Sequence, residues 1–170
     1  MRGLRVAVAA ALIAAPAAAA DLPLADHPLV DTIVRVEDGA KIDRGQLEAA
    51  LLDARFVVLG EKHDNPRHHV IQAELVEHLG AAGELDAVAF EMLPRDKQID
   101  VVAHVQAGGG AAGLADAVGW SELGWGPWTW YGPIADAALR HDATIVAADL
   151  TRDDARAIYQ DGLGTLDARL

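Results

Sequence analysis

No cysteine occurs among the 170 residues. The chain therefore forms no disulfide, holds no thiolate-bound metal and offers no thiol for a lipid anchor. Positive charge is also scarce: 14 Lys and Arg stand against 26 Asp and Glu, for a net charge of −12. A surface this acidic repels phosphate backbones and anionic lipid, which argues against nucleic acid and membrane surfaces as partners. No Gly-x-Ser-x-Gly occurs, so the nucleophile elbow of serine hydrolases is missing. Aromatic residues make up only 5% of the chain, yet all four tryptophans fall between Trp120 and Trp130.

The one long apolar run lies at the N-terminus. Arg2 and Arg5 precede an apolar stretch over 6–15, and Ala18, Ala19 and Ala20 form a small-residue cleavage site before Asp21. This reads as a secretory signal peptide over 1–20, too short and wrongly flanked to span a bilayer. Its loss removes two positive charges, taking the net charge from −12 to −14. Residues 21–170 are then one domain's worth of chain. Export without disulfides fits a periplasm or secretion, with stability supplied by a packed core.

Along the mature chain, strand-like and helix-like patterns alternate. Residues 21–28 form a polar lead-in. Val30, Ile33, Val34 and Val36 mark a strand over 29–36, and Glu37–Ala40 a turn. Asp43 is a plausible N-cap for a helix with Leu47, Ala50 and Leu51 on one face. Three nearly all-apolar stretches, 55–60, 85–92 and 144–148, read as strands covered on both faces. Between and after them, helices are predicted over 66–82, 94–106, 131–141 and 151–159, with another beginning in 163–170. Gly108, Gly109 and Gly110 break the chain after the second of these. Alternating order of this kind predicts an α/β domain: a mostly parallel sheet with helices on both faces and right-handed crossovers.

The polar residues cluster where such a sheet binds ligands, at the carboxyl ends of its strands. Residues 56–59 run into Gly60 and then release Glu61, His63, Asp64, Asn65, His68 and His69, with Pro66 opening a helix. The two other apolar stretches also end on acids, Glu91 and Asp149. Carboxylates converging beside His63 need a cation, a shared proton or donors, so Glu61, His63 and Glu91 are candidates for a metal or acid–base site. Acids also sit at strand ends simply as caps and solvated turn residues. His68 and His69 fall in the first helical turn, where the dipole disfavours a charged imidazole, and only one of them can face the site. Their spacing matches no standard zinc signature.

The Trp120–Trp130 run, with Gly124, Gly126 and Pro127, reads as a Gly/Pro-rich loop. Its indoles could stack on a planar ligand, cover a cleft, form a subunit interface or pack onto the domain's own core. Tyr131 follows directly, and a phenolate can ligate ferric iron in haem. The absence of CxxCH excludes covalent haem attachment.

Three blocks, Gly60-Glu61-Lys62-His63-Asp64-Asn65 with His68-His69, Phe90-Glu91-Met92, and Trp128-Thr129-Trp130-Tyr131-Gly132-Pro133-Ile134, together resemble the ChaN-like haem-binding uptake family. That family shares a superfamily with erythromycin esterases and Tiki-type metalloproteases. The resemblance covers most of the mature chain. It implies an α/β protein of the periplasm or outer-membrane surface that captures haem for haem or iron uptake, without acting as an enzyme. It also implies an outer-membrane haem or iron receptor as partner and is compatible with a homodimer. Members are often lipoproteins, but the missing lipobox Cys predicts no lipid anchor here. Members are commonly longer, so a chain ending at Leu170 is expected to be a C-terminally truncated member.

On this resemblance Tyr131 is the favoured iron ligand, and Trp128 and Trp130 contact the porphyrin. His63, His68 or His69 then supplies a second ligand or a propionate partner. The alternative from the same superfamily is a hydrolase, in which Glu61 or His63 activates water with a divalent metal and Glu91 assists.

Overall fold

A computed structural model describes residues 26–165, so the signal-peptide reading of 1–20 lies outside the described residues. The chain divides between Ile42 and Asp43 into two compact units. In the first, β1 (Ile33–Arg35) and β2 (Ala40–Ile42) form an antiparallel hairpin that pairs Ile33 with Ile42 and Arg35 with Ala40. Gly39 turns the chain at φ 71°, and Asp38 accepts hydrogen bonds from Arg35 and from the Ala40 amide. The strand expected over 29–36 is thus a short hairpin arm outside the parallel sheet. Asp31, at φ 54°, breaks the extended run before it, and Leu29 and Val30 stay exposed.

The second unit is built on a parallel pair, β3 (Ala87–Pro94) beside β4 (Thr144–Asp149), in register from Ala87 with Thr144 to Phe90 with Ala147. Its helices are α1 (Arg44–Leu52), α2 (Pro66–Ala81), α3 (Gln98–Gln106), α4 (Ala111–Val118), α5 (Trp120–Leu123), α6 (Trp128–Arg140) and α7 (Arg152–Asp161). Phe90, Met92, Ile145 and Ala147 are buried with Val76 of α2 and with Ile134 and Ala138 of α6. Alternation leaves Ala87, Ala89 and Glu91 exposed on the opposite face. α2 and α6 approach closely at Gly80, where a Cβ would lie 2.3 Å from the His141 ring. The α/β class is therefore as expected, with helices around a small parallel sheet.

Helix starts follow the local chemistry. Asp43 and Thr151 close capping boxes, Asn65 accepts from the Arg67 amide, and Pro66 takes the first position of α2. Two boundaries differ from expectation. Pro94 does not open a helix; it ends β3 opposite Asp149, and a 3-10 turn over Arg95–Lys97 precedes α3. The tryptophan run is mostly helical, in α5 and the start of α6, with only 124–127 as loop. Of 163–170, Leu163–Thr165 is a single 3-10 turn and the remainder lies outside the described residues.

The largest departure is the stretch 55–60, which forms no ladder with any strand among the described residues. Phe56 and Val58 are 80% and 92% exposed, while Val57 and Leu59 are half-buried and the Leu59 carbonyl accepts from Gln72 of α2. An apolar run says that a surface wants cover. It does not say that the cover is present, and here the side toward β3 is a cavity.

Candidate functional site

Glu61 is the centre of the polar cluster. It follows Gly60 at the end of the unpaired stretch, and its side chain is only 5% exposed. His63 Nδ1 lies 2.6 Å from Glu61 Oε1, and the Tyr131 hydroxyl donates to the same oxygen at 3.2 Å. His69, the fourth residue of α2, brings Nδ1 to within 2.7 Å of Glu61 Oε2. One nearly buried carboxylate thus gathers two imidazoles and a phenol from three parts of the chain.

The partners assign the tautomers. With Nδ1–H of His63 directed at the carboxylate, its Nε2 is left as a lone-pair nitrogen on a side chain that is 45% exposed. His69 is sealed at 1% exposure, and its Nε2 donates to the His63 carbonyl at 3.2 Å. Its Nδ1 then meets Glu61 Oε2 off the line of a good hydrogen bond, and neither atom has another partner. His68, beside it, turns away and accepts from the Lys62 amide at 2.8 Å, which fixes the loop.

Tyr131 is wholly buried. Burial, followed by the negative charge of Glu61, its hydrogen bond to Glu61 and the charge of Glu91, raises its phenol well above the ordinary tyrosine range. A group so placed is a hydrogen-bond donor, not a phenolate.

The indoles are mainly structural. Trp120 Nε1 donates to the Gly126 carbonyl and Trp128 Nε1 to that of Ala111. Trp130 stacks on His69 with ring centroids 5.5 Å apart, and Trp120 packs against both Trp128 and Tyr131. Gly126 admits this packing, because a Cβ there would lie 2.8 Å from the Trp130 ring. Trp125 differs. It meets the His63 ring edge-on, with centroids 4.9 Å apart. Nothing in the run marked it out from the other three, since that depends on where α5 ends and α6 begins.

The expected convergence of acids is partial. Glu91 acts on Tyr131 through its charge and lines the same cavity as Glu61 and His63, whereas Asp149 caps its own turn by accepting from the Leu150 amide. Among the described residues no group of three or more His, Asp or Glu is arranged to hold a metal ion. The Glu61, His63 and Glu91 set is therefore not gathered as a divalent-metal centre.

These residues stand at one end of a cavity of about 860 Å³. One wall is 54–61, the other 84–92, and Gln72, Val76, Leu79 and Ile134 also line it.

A family model described as haem-binding uptake, Tiki superfamily, ChaN, matches residues 47–170. The solved structure of cofacial haem binding to ChaN of Campylobacter jejuni superposes with a TM-score of 0.66 at 25% identity. The match covers 76% of this chain and 52% of that one, so the chain spans about half the length of this neighbour. None of the curated proteins matches the chain.

Proposed function

The chain belongs to the ChaN haem-binding uptake family of the Tiki superfamily, and from that premise we propose that it captures haem non-covalently, with His63 as the residue that would hold the iron. The observation that carries this reading is the Glu61–His63 pair. A carboxylate at 2.6 Å holds the ring through Nδ1 and leaves Nε2 free on a half-exposed side chain. A carboxylate behind an imidazole is the usual way to orient a metal-binding histidine and raise its basicity. Trp125, packed edge-on with His63, would offer apolar surface to a porphyrin held there.

The other residues support this pair. Tyr131 and His69 hold Glu61 in place, so Tyr131 is a positioning residue in place of the iron ligand. His68 fixes the loop, and Trp128 and Trp130 fix the corner under the site. The similarity to a structure titled for cofacial haem binding supports the choice of cargo. Export, a periplasmic or outer-membrane location, iron uptake, delivery through an outer-membrane receptor and a homodimer belong to the same proposal. The hydrolase alternative is less well supported, because both oxygens of Glu61 are engaged and nearly buried, so Glu61 is not aimed at water.

The test is a haemin titration of the purified protein followed by absorbance. Wild type is expected to shift the Soret band, and His63→Ala to bind at least about tenfold more weakly, as loss of an iron ligand should. No shift in wild type would remove the haem reading. Unchanged binding by His63→Ala would remove the ligand assignment alone.

A further inference from the structure

The two edges of the small sheet are finished differently. Strand alternation directs the backbone groups of Ile145 and Ala147 away from β3, and there the Gln98 side chain takes both roles of a neighbouring strand. Its Nε2 donates to the Ile145 carbonyl at 3.0 Å, and its Oε1 accepts from the Ala147 amide at 2.7 Å. On β3 the Asp86 carbonyl accepts from Thr144, so the groups of Val88 and Phe90 also point toward β4. Those of Ala87, Ala89 and Glu91 point the other way, and among the described residues no strand pairs with them there. Across the cavity stands 55–60, also without a ladder. The slot thus has an unmatched backbone row along β3 and, facing it, a stretch without a ladder in which the Leu59 carbonyl is bonded to Gln72.

We propose that this slot receives one extended strand of about five residues, the length of the unmatched row from Ala87 to Glu91. The strand would come from polypeptide equivalent to the half of the Campylobacter jejuni ChaN chain that lies outside the match. Three observations favour that occupant. The unmatched backbone row along β3 wants main-chain donors and acceptors, which a flat porphyrin in the slot would not provide. Phe56 and Val58, exposed at 80% and 92%, would gain cover from a neighbouring strand and the chain that continues from it. The family match spans both walls, and the structural match covers only 52% of the ChaN chain, so nearly as much polypeptide of that protein lies outside the match. Addition of a strand to an open edge is a common recognition mode. The slot opens beside Glu61 and His63, so a strand seated in it would complete one side of the site.

The proposal stands apart from the haem reading and is tested without haem. The full chain is followed by amide hydrogen exchange with and without the unmatched half of Campylobacter jejuni ChaN, expressed as a separate polypeptide. Exchange at Ala87, Ala89, Glu91 and across 56–60 is expected to slow by about tenfold or more on mixing. Ala89→Pro should abolish the slowing and leave the free chain folded, because its amide faces outward from an edge, where proline is tolerated. If that variant fails to fold, Val58→Pro on the facing wall reads the same contact. The proposal fails if the added half slows nothing. It also fails if exchange without the added half slows with rising chain concentration, which would mean pairing with a second copy. Slow exchange at every concentration would mean closure by 55–60 itself and would likewise overturn it.

Discussion

The tryptophan corner and the stretch 55–60 are both rich in apolar residues, and they meet opposite fates. In the corner, Trp120 and Trp128 send their indole N–H groups to named carbonyls, and Trp120 and Tyr131 are buried. In 55–60 the Leu59 carbonyl accepts from the Gln72 side chain, and Phe56 and Val58 face solvent. Apolar content alone does not decide burial. A segment is buried when its backbone and its side chains both find partners, and helices bring their own backbone partners whereas a lone strand does not.

The sharpest test of this contrast is stability. Trp120→Ala in the corner is expected to cost about 3–5 kcal/mol in urea unfolding, through lost burial and the cavity it leaves. Phe56→Ala is expected to stay within about 0.5 kcal/mol. Equal costs would break the comparison. A smaller effect is expected at the contact between α2 and α6. Gly80→Ala sets a methyl against the His141 ring and should cost about 1–3 kcal/mol.

Tyr131→Phe keeps the ring and removes one donor to Glu61, for about 1 kcal/mol near neutral pH. Its pH dependence is the better signature. The folded phenol holds its proton above the ordinary value of about 10. Above that value the unfolded chain releases a proton that the folded chain retains, so wild-type stability should fall as pH rises past about 10. Tyr131→Phe should lose that part of the slope. The smallest effect lies outside both regions, at Asp154. The Thr151 hydroxyl first, and Arg95 with it, hold its carboxyl below the usual range. Its contribution is present above the unfolded carboxylate value and is lost as pH falls, so Asp154→Asn should flatten the acid limb of a stability–pH profile.

Much of the site could be read from residue order. A carboxylate and imidazoles released after an apolar stretch, with Pro66 starting a helix, placed Glu61, His63 and His69 close together. Helical geometry allowed only one of His68 and His69 to face inward, and His69 does. The parallel pairing of β3 with β4 also follows from the two apolar stretches and the helices between them. Other features depend on neighbours that spacing does not encode. The openness of 55–60 reflects the lack of a ladder with any strand among the described residues. Tyr131 as donor reflects its burial beneath Trp120 and His69. Asp149 falls outside the cluster because it caps its own turn, and Trp125 stands beside His63 only because α5 stops at Leu123.

Two imidazoles share Glu61, and in the proposed haem complex the accessible one is the iron ligand while the buried phenol is not. The most direct measurement is resonance Raman spectroscopy of the haem complex in the ferric and ferrous states. An iron–histidine stretch in the ferrous complex, lost in His63→Ala and kept in Tyr131→Phe, is the predicted result. A ferric phenolate signature that disappears in Tyr131→Phe would contradict it.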